Sequence, residues 1–171
     1  DNMVVDVGGG TTDIAILSLG GIVTKKSIRV GGDKMDEAII RFVRREFNLL
    51  IGERTAEEIK IRVGCAVPEG KKEDNTVEVK GRDLITGLPK TIVVNSKDTF
   101  KAMEESIDAI MASIKDVLER TPPELAADVM GKGIIMTGGG SLVDSMDLRV
   151  SRETGLAATV ADDPISCVAL G

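Results

Sequence analysis

The stretch VVDVGGGTTDIAIL, residues 4–17, decides the fold of this chain. It places a short apolar run before three glycines and two threonines, and then resumes the apolar alternation that is typical of a β-strand. Gly8, Gly9 and Gly10 lack a Cβ, so the backbone there can turn tightly and approach a ligand closely. No lysine follows these glycines, whereas a P-loop has one that reaches the phosphates. We therefore predict a turn that presents backbone amides rather than a cation.

The composition excludes several classes of function. The chain has 171 residues, a net charge of −6 and no basic stripe, which argues against nucleic acid as a partner. Histidine is absent, so neither a Ser-His-Asp triad nor a histidine metal site can form. The chain has no Trp or Tyr, which argues against base stacking on aromatic rings. The chemistry that remains uses backbone amides, carboxylates, hydroxyls and a bound metal ion.

Two further features concern the cellular compartment. Cys65 and Cys167 have no metal-ligand spacing, and we expect both to be small buried hydrophobic residues in a reducing cytosol. The sequence has neither a signal-peptide pattern nor an apolar run of the ~20 residues that span a bilayer. We therefore expect a cytoplasmic protein.

The apolar periodicity predicts an α/β fold. Residues 3–7, 12–18 and 21–30 read as three consecutive antiparallel strands, the last two joined by a Gly-Gly turn. A long helix over 97–120 carries an apolar face from Phe100 to Val117 that we expect to be core. GIIMTGGGSLVDSMDLRV, residues 133–150, is expected to begin with a buried strand that runs into a glycine turn and then into a helix. AATVAD, residues 157–162, is expected to be a short final strand, and a helix is expected to begin in DPISCVALG at the carboxyl end.

The segment 31–95 is predicted to be a small subdomain inserted into a main unit of residues 1–30 and 96–171. Asp33 is expected to cap its first helix, and Thr55 with Glu58 forms a capping-box pattern for a second helix that ends at Gly64. The stretches NTVEVKG and KTIVVNS then alternate as two strands.

A second glycine turn, Gly138-Gly139-Gly140-Ser141, follows a buried strand and precedes a helix. Free amides at such a junction favour anionic groups. Asp6 would repel a bare phosphate at the first turn, unless a divalent cation lies between them, because Mg²⁺ takes oxygen ligands and keeps several waters. The alternative is that both turns serve only tight chain reversal and close packing. Two such turns in one α/β domain favour a single ligand that contacts both.

Six motifs together resemble the bacterial MreB family of actin-like cytoskeletal ATPases. The opening motif is shared with Hsp70 chaperones and other actin-fold proteins, whereas GERTAEEIK and TPPELAADV narrow the resemblance to MreB and its close paralogues. The six motifs are VVDVGGGTTDIAILSLGGIV, IRVGGDKMDEAI, IGERTAEEIKI, GLPKTI, TPPELAADV and GIIMTGGGSLV. The resemblance covers nearly the whole chain, which corresponds to the second half of an MreB-like protein. It implies the actin-like, ribonuclease H-like fold, with a five-stranded mixed sheet, helices and a small inserted subdomain.

The resemblance also implies roles for individual residues. Asp6 would hold the waters of Mg²⁺, and Glu57 and Lys60 would contact the nucleoside. The alternative for Glu57 and Lys60 is an exposed ion pair between residues three apart on a helix. The remaining nucleotide-binding residues form two groups, a phosphate loop of Gly8, Gly9, Gly10, Thr11 and Thr12, and an adenosine-side turn of Gly138, Gly139, Gly140 and Ser141.

At the level of function, the resemblance implies a protein that binds ATP or ADP with Mg²⁺, polymerises into filaments and directs cell shape and cell-wall synthesis. Its expected partners are further copies of itself and membrane-anchored morphogenesis proteins. The filament would be membrane-associated, but without direct membrane contact from this half. We assign no catalytic residue to this chain and expect it to be inactive alone. The alternatives are a protein-interaction module and half of an Hsp70-like ATPase.

Overall fold

A computed structural model describes residues 1–70 and 75–161 of the chain. In that part of the chain, strands form two sheets and helices pack around them. The strands are β1 (Asn2–Val7), β2 (Thr12–Ser18), β3 (Gly21–Ile28), β4 (Leu49–Leu50), β5 (Thr76–Asp83), β6 (Pro89–Asn95), β7 (Ile134–Thr137) and β8 (Ala158–Val160). The helices are α1 (Gly32–Phe47), α2 (Glu53–Val63), α3 (Ser96–Arg120), α4 (Pro123–Lys132) and α5 (Met146–Thr154), with a 3₁₀ turn over Gly139–Leu142.

The larger sheet has five strands in the order β3-β2-β1-β7-β8. β1, β2 and β3 pair in antiparallel fashion, whereas β7 and β8 run parallel to β1. The three antiparallel and two parallel strands confirm the predicted mixed sheet. Because β1 and β7 are adjacent and parallel, with Asp6 opposite Thr137, their carboxyl ends meet at one edge. Both glycine turns start at that edge.

The hydrophobic core lies between the larger sheet and its helices. Met3, Val5 and Val7 alternate with less buried residues along β1, as expected for a strand with one face toward a core. The apolar face of α3 is confirmed as core from Met103 to Val117, which are both fully buried, whereas Phe100 at its start is only partly buried. Burial of this contiguous apolar surface, rather than helix propensity, stabilises the long helix.

The smaller sheet, ordered β4-β5-β6, is formed entirely by residues of the 31–95 segment. β5 and β6 form the expected antiparallel pair, and the two-residue β4, which the sequence pattern did not indicate, pairs with β5. α1 and α2 pack against each other, and α1 also packs against α3. The division into a main unit and a small subdomain stays a prediction.

Two helix starts differ from the sequence-based expectation. α1 begins at Gly32, after an extended Gly31, and the Asp33 side chain makes no capping hydrogen bond. α2 begins at Glu53, so Thr55 lies inside the helix and forms no capping box. The predicted end of α2 at Gly64 is correct.

The structure also contains features that the sequence pattern missed. Asn95 and Asp98 form a capping box at the start of α3, with hydrogen bonds of 2.9 and 3.0 Å. α4, which begins at Pro123, was not predicted, and the second glycine turn is itself largely a 3₁₀ turn, Gly139–Leu142, that ends before α5 begins at Met146. Cys65 is buried, as expected. Cys167 and the helix expected at the carboxyl end lie outside the described residues.

Candidate functional site

The first glycine turn joins β1 to β2 and is closed by its own backbone. The Gly8 amide donates to the Thr11 carbonyl at 2.9 Å, so this amide is used by the turn itself. The Gly9 and Gly10 amides have no acceptor among the residues that the structure describes. Gly9 and Gly10 are also exposed. These two amides are therefore the donors that the first turn can offer to a ligand.

The carbonyls of the same turn serve a different purpose, because they cap α1. The Gly32 amide donates to the Gly8 carbonyl and the Asp33 amide donates to the Gly9 carbonyl, each at 2.9 Å. Two of the unpaired amides at the start of α1 are thereby satisfied without a side-chain cap. In a trans peptide the N–H points opposite to the C=O. The capped helix thus directs the Gly9 and Gly10 amides away from α1.

Gly31 permits this contact between the helix and the turn. A Cβ at Gly31 would lie 2.8 Å from the Gly9 carbonyl oxygen and closer still to that of Gly8. The Thr12 hydroxyl adds a third link, because it donates to the Val30 carbonyl at 2.6 Å. Residues 30–33 are thus held directly against the glycine turn.

The second glycine turn packs on the end of β1. Gly138 has a φ of +83°, and a Cβ there would collide with the Asp6 carboxylate and the Val7 carbonyl. A Cβ at Gly140 would collide with the Val7 side chain. Glycine is required at both positions, because the backbone of this turn lies directly against β1. Gly139 differs, since no atom lies within 4 Å of an added Cβ.

Both turns and one face of α2 line a single cleft of about 410 Å³. The cleft is within the size range of ligand pockets, roughly 300–1,000 Å³. It brings together six of the site residues named from the sequence, which are Gly8, Gly9, Glu57, Lys60, Gly139 and Gly140. The lining residues that the sequence analysis did not assign to a ligand site are Gly32, Asp33, Asp36, Ile61, Leu142 and Val143.

Lys60 is paired with a residue that the sequence analysis missed. Its Nζ lies 2.9 Å from Asp36 Oδ1 and donates to the Gly32 carbonyl at 3.2 Å. The sequence-based alternative, an exposed Glu57–Lys60 pair, does not occur among the described ion pairs. Asp36 Oδ1 is buried, and the Lys60 ammonium is its charged partner. Burial raises the pKa of Asp36, and Lys60 partly opposes that shift.

Three hydroxyls named from the sequence are bonded within the fold. Thr12 is fully buried, and its hydroxyl donates to the Val30 carbonyl. Ser141 is buried and donates to the Thr137 carbonyl at 2.5 Å. The exposed Thr11 hydroxyl donates to Asp13 at 3.0 Å. The backbone, rather than these hydroxyls, therefore supplies the polar surface of the turns.

Asp6 lies between the two turns without a neutralising cation. It stands directly across the strand pair from Asp13, and no lysine, arginine or hydrogen-bond donor contacts its carboxylate within the described ranges. Burial raises the pKa of Asp6, and the neighbouring Asp13 charge adds to the shift. Asp6 is therefore a partly desolvated carboxylate that a cation would stabilise.

Neither a metal-binding cluster of side chains nor a membrane-spanning helix occurs in the described ranges. Over 1–70 and 75–161, no group of three or more His, Cys, Asp or Glu side chains is arranged to hold a metal. In the same ranges, every helix is too short or too polar to traverse a lipid bilayer.

The sequence is similar to curated proteins over nearly its whole length. It is 51% identical over 170 residues to the cell shape-determining protein Mbl of Bacillus subtilis, covering 99% of this chain and 50% of that protein. It is 45% identical over 170 residues to the cell shape-determining protein MreB of Escherichia coli K12, covering 99% of this chain and 48% of that protein. The chain therefore spans about half the length of these relatives.

Solved structures support the same relationship. The crystal structure of MreB5 of Spiroplasma citri bound to AMPPNP matches with a TM-score of 0.93 and 36% identity, over 98% of this chain and 50% of that one. The ADP-bound form of MreB5 matches with a TM-score of 0.94. A MamK double helical filament matches with a TM-score of 0.77 and 26% identity, over 95% of this chain and 50% of that one.

These neighbours confirm the actin-like fold. The family model described as MreB/Mbl protein matches residues 1–171, which is the full chain. The relationship to MreB and Mbl, rather than to Hsp70 chaperones, is thereby established. This chain belongs to the MreB/Mbl family of cell shape-determining, actin-like proteins.

Proposed function

We propose that the chain forms one wall of an adenine-nucleotide site. The observation that carries the proposal is the single cleft, which is lined by both glycine turns and by Glu57 and Lys60 of α2. In this arrangement the phosphates lie at the first turn, and the nucleoside lies between α2 and the second turn. The MreB5 structures of Spiroplasma citri, which contain AMPPNP and ADP, support this assignment through the shared fold.

The cleft has the chemistry that such a ligand requires. The unpaired amide of Gly9, which lines the cleft, and that of its neighbour Gly10 provide donors of the kind that bind phosphate oxygens. Ile61 and Leu142, which are 70% and 64% exposed, provide apolar surface on two walls of the cleft. A purine can pack on aliphatic side chains of this kind, which suits a chain that lacks Trp and Tyr.

Mg²⁺ is the second component of the proposal. Asp6 fits a cation held through water, because its carboxylate is partly buried, faces Asp13 and contacts no basic side chain in the described ranges. Mg²⁺ commonly binds through one or two carboxylates while it keeps several waters. The bound ion would supply the positive charge that the first turn lacks. Thr11 is linked to Asp13, so this polar edge of β2 continues the same surface.

We further propose that the full-length protein is an ATPase that polymerises and directs cell shape and cell-wall synthesis. Phosphoryl transfer depends on groups positioned around the whole transferred phosphoryl group. A chain that supplies one wall of the site should therefore have negligible turnover. Filament formation, membrane-anchored morphogenesis proteins as partners, and a membrane-associated location in the cytoplasm belong to the full-length protein in this proposal. MamK, whose filament shares the fold, supports self-association.

The test is a titration of ¹⁵N-labelled chain with MgADP followed by NMR, which detects weak binding and locates it. We expect shifts at the Gly9, Gly10 and Gly139 amides. Glu57→Gln should weaken binding, because Glu57 lines the cleft. Glu58→Gln is the matched control. It removes the same charge as Glu57→Gln, but Glu58 does not line this cleft. Shifts confined to other surfaces, or no shifts at millimolar ligand, would contradict the proposal.

A second measurement tests the metal. Asp6→Ala should abolish the magnesium dependence of ADP binding while it leaves the far-ultraviolet circular dichroism spectrum unchanged. An unaltered affinity for MgADP in this variant would show that Asp6 has no role in holding the ion. A turnover assay of the chain should detect no magnesium-dependent hydrolysis, and robust hydrolysis would refute the one-wall assignment.

A further inference from the structure

The ion pair between Lys60 and Asp36 is unlike the other ion pairs of the chain. Its side chains are only 12% and 14% exposed. Every other ion pair in the described ranges includes a side chain that is at least 28% exposed. A pair that is withdrawn from solvent is screened little, so its geometry matters more than that of a surface pair.

The pair continues into the first glycine turn. Lys60 Nζ donates to the Gly32 carbonyl at 3.2 Å, and the Gly32 amide donates in turn to the Gly8 carbonyl at 2.9 Å. A series of hydrogen bonds thus runs from α2, through the first turn of α1, to the first glycine turn. Asp36 lies one helical turn further along α1, where it holds the ammonium from the other side.

The chain at the carboxyl end of α2 is held by separate contacts. The Ala66 amide donates to the Asp144 carbonyl at 3.0 Å, and Arg149 of α5 donates to the Ala66 carbonyl at 3.1 Å. The Thr99 hydroxyl donates to the Val63 carbonyl at 2.7 Å. These contacts hold the carboxyl end of α2 against α3, α5 and the segment that follows the second glycine turn, whereas Lys60 connects α2 to the first turn.

We propose that Asp36 is a positioning residue, which holds the Lys60 ammonium against the Gly32 carbonyl and so fixes α2 relative to the first glycine turn. Lysine has a flexible stem and three donors, so without this carboxylate its head group would turn toward the cleft. The first turn of α1 would then lose a contact that holds it beneath Gly8 and Gly9. The geometry stands without a ligand, but its consequence for nucleotide binding rests on the proposed function.

The first test measures amide hydrogen exchange by NMR in the absence of nucleotide. In Asp36→Asn the Gly32 and Asp33 amides should exchange about tenfold faster relative to the β7 amides, because a charged contact has been removed. Glu37→Gln is the control, since it removes the same charge from an exposed pair with Lys34 on the same helix. The proposal would be overturned if exchange at the Gly32 and Asp33 amides rose only as much as exchange at the β7 amides. It would also be overturned if Asp36→Asn and Glu37→Gln accelerated exchange at Gly32 and Asp33 equally.

The second test separates positioning from general stability. Lys60→Arg keeps a charged donor, so the Gly32 amide should retain most of its protection against hydrogen exchange. Lys60→Met should reduce that protection as much as Asp36→Asn does. The double variant should lose no more than either single variant, because both remove one interaction. Additive losses would show that Asp36 does not act through Lys60, and would overturn the proposal.

Binding of MgADP gives an independent readout. Asp36→Asn should weaken the affinity about tenfold, and Glu37→Gln should leave it unchanged. Tighter binding by Asp36→Asn would mean that the carboxylate competes with the ligand for Lys60, which contradicts a positioning role. If the unaltered chain fails to bind MgADP, the proposed function fails for this chain, while the exchange experiment still decides the role of Asp36.

Discussion

Gly31→Ala tests the contact between α1 and the first glycine turn. The added Cβ would lie 2.8 Å from the Gly9 carbonyl oxygen and closer to that of Gly8, so backbone atoms must move apart. The backbone at Gly31 is extended, with φ of −156°, and the cost therefore comes from space rather than from a left-handed conformation. The hydrogen bonds that this movement breaks are those from Gly32 and Asp33 to the turn, each 2.9 Å long.

The expected loss follows from these contacts. Two hydrogen bonds contribute about 1 kcal/mol each, and forcing one methyl group into a packed site costs roughly 1–3 kcal/mol. The reduced freedom of the unfolded chain offsets about 0.4–1 kcal/mol. Gly31→Ala should therefore lower the free energy of unfolding by about 2–4 kcal/mol, a large part of the 5–15 kcal/mol typical of a domain. In a chain of this size the melting temperature should fall by roughly 5–15 °C.

Urea denaturation followed by circular dichroism at 222 nm measures this loss through the shift in midpoint at constant slope. Gly20→Ala is the matched control, because an added Cβ at the Gly-Gly turn between β2 and β3 meets no atom within 4 Å. It should change stability by less than about 0.5 kcal/mol. Equal stabilities of the two variants would refute the close contact between residues 31–33 and the glycine turn.

Three further comparisons test other parts of the structure. Gly138→Ala should cost about 3 kcal/mol, because it combines a positive φ with collisions at β1, whereas Gly139→Ala next to it should be nearly neutral in a thermal melt. Asp6→Asn should raise the denaturant midpoint of the metal-free chain at pH 7. Burial and Asp13 raise the Asp6 pKa, so the folded state binds this proton more tightly than the unfolded state and loses stability as pH rises above the ordinary value of 3.8. The gain from Asp6→Asn should accordingly shrink as pH falls toward that value, and a loss at pH 7 would contradict it. Arg149→Ala should cost about 2 kcal/mol, because its side chain is 12% exposed and its guanidinium contacts Asp108, Glu153 and Ala66. Arg152→Ala should cost much less, since its pair with Glu69 is about half exposed. Equal melting temperatures for the two arginine variants would contradict this ranking.

The larger sheet could be predicted because its information is local. β1, β2 and β3 are consecutive, alternate in burial and are joined by glycine turns, so periodicity and turn chemistry agree. The face of α3 was also readable from its spacing. The α/β class and the antiparallel start follow from these elements.

The helix starts were harder because their caps are distant in sequence. Asp33 has the right chemistry for a cap, but the amides of α1 are satisfied by carbonyls more than 20 residues earlier. Sequence patterns favour the nearest polar side chain and cannot register a backbone acceptor from another element. α4 was missed because Pro122 and Pro123 were interpreted only as the end of the preceding helix. Pro123 is in fact the first residue of α4, a position at which proline is favoured.

The candidate site, like the fold, could be predicted from the sequence only in part. Glycines that need close backbone approach could be identified, and so could Glu57 and Lys60, because their motifs are local. Asp36 could not, since the pairing joins residues 24 positions apart on two helices. Its place at the fourth residue after a Gly-Gly pair was the available signal, but one acidic residue on a charged helix is not distinctive.

The peptide groups of the first glycine turn have two uses, since their oxygens hold a helix while the Gly9 and Gly10 amides stay unpaired for a ligand. Alterations made there to tune ligand preference would consequently disturb the scaffold as well. The exposed face of α2 is free of that conflict. The side chains of Glu57 and Ile61 line the cleft without making a hydrogen bond in the described ranges, so a library restricted to those two positions could vary selectivity while the architecture stays intact.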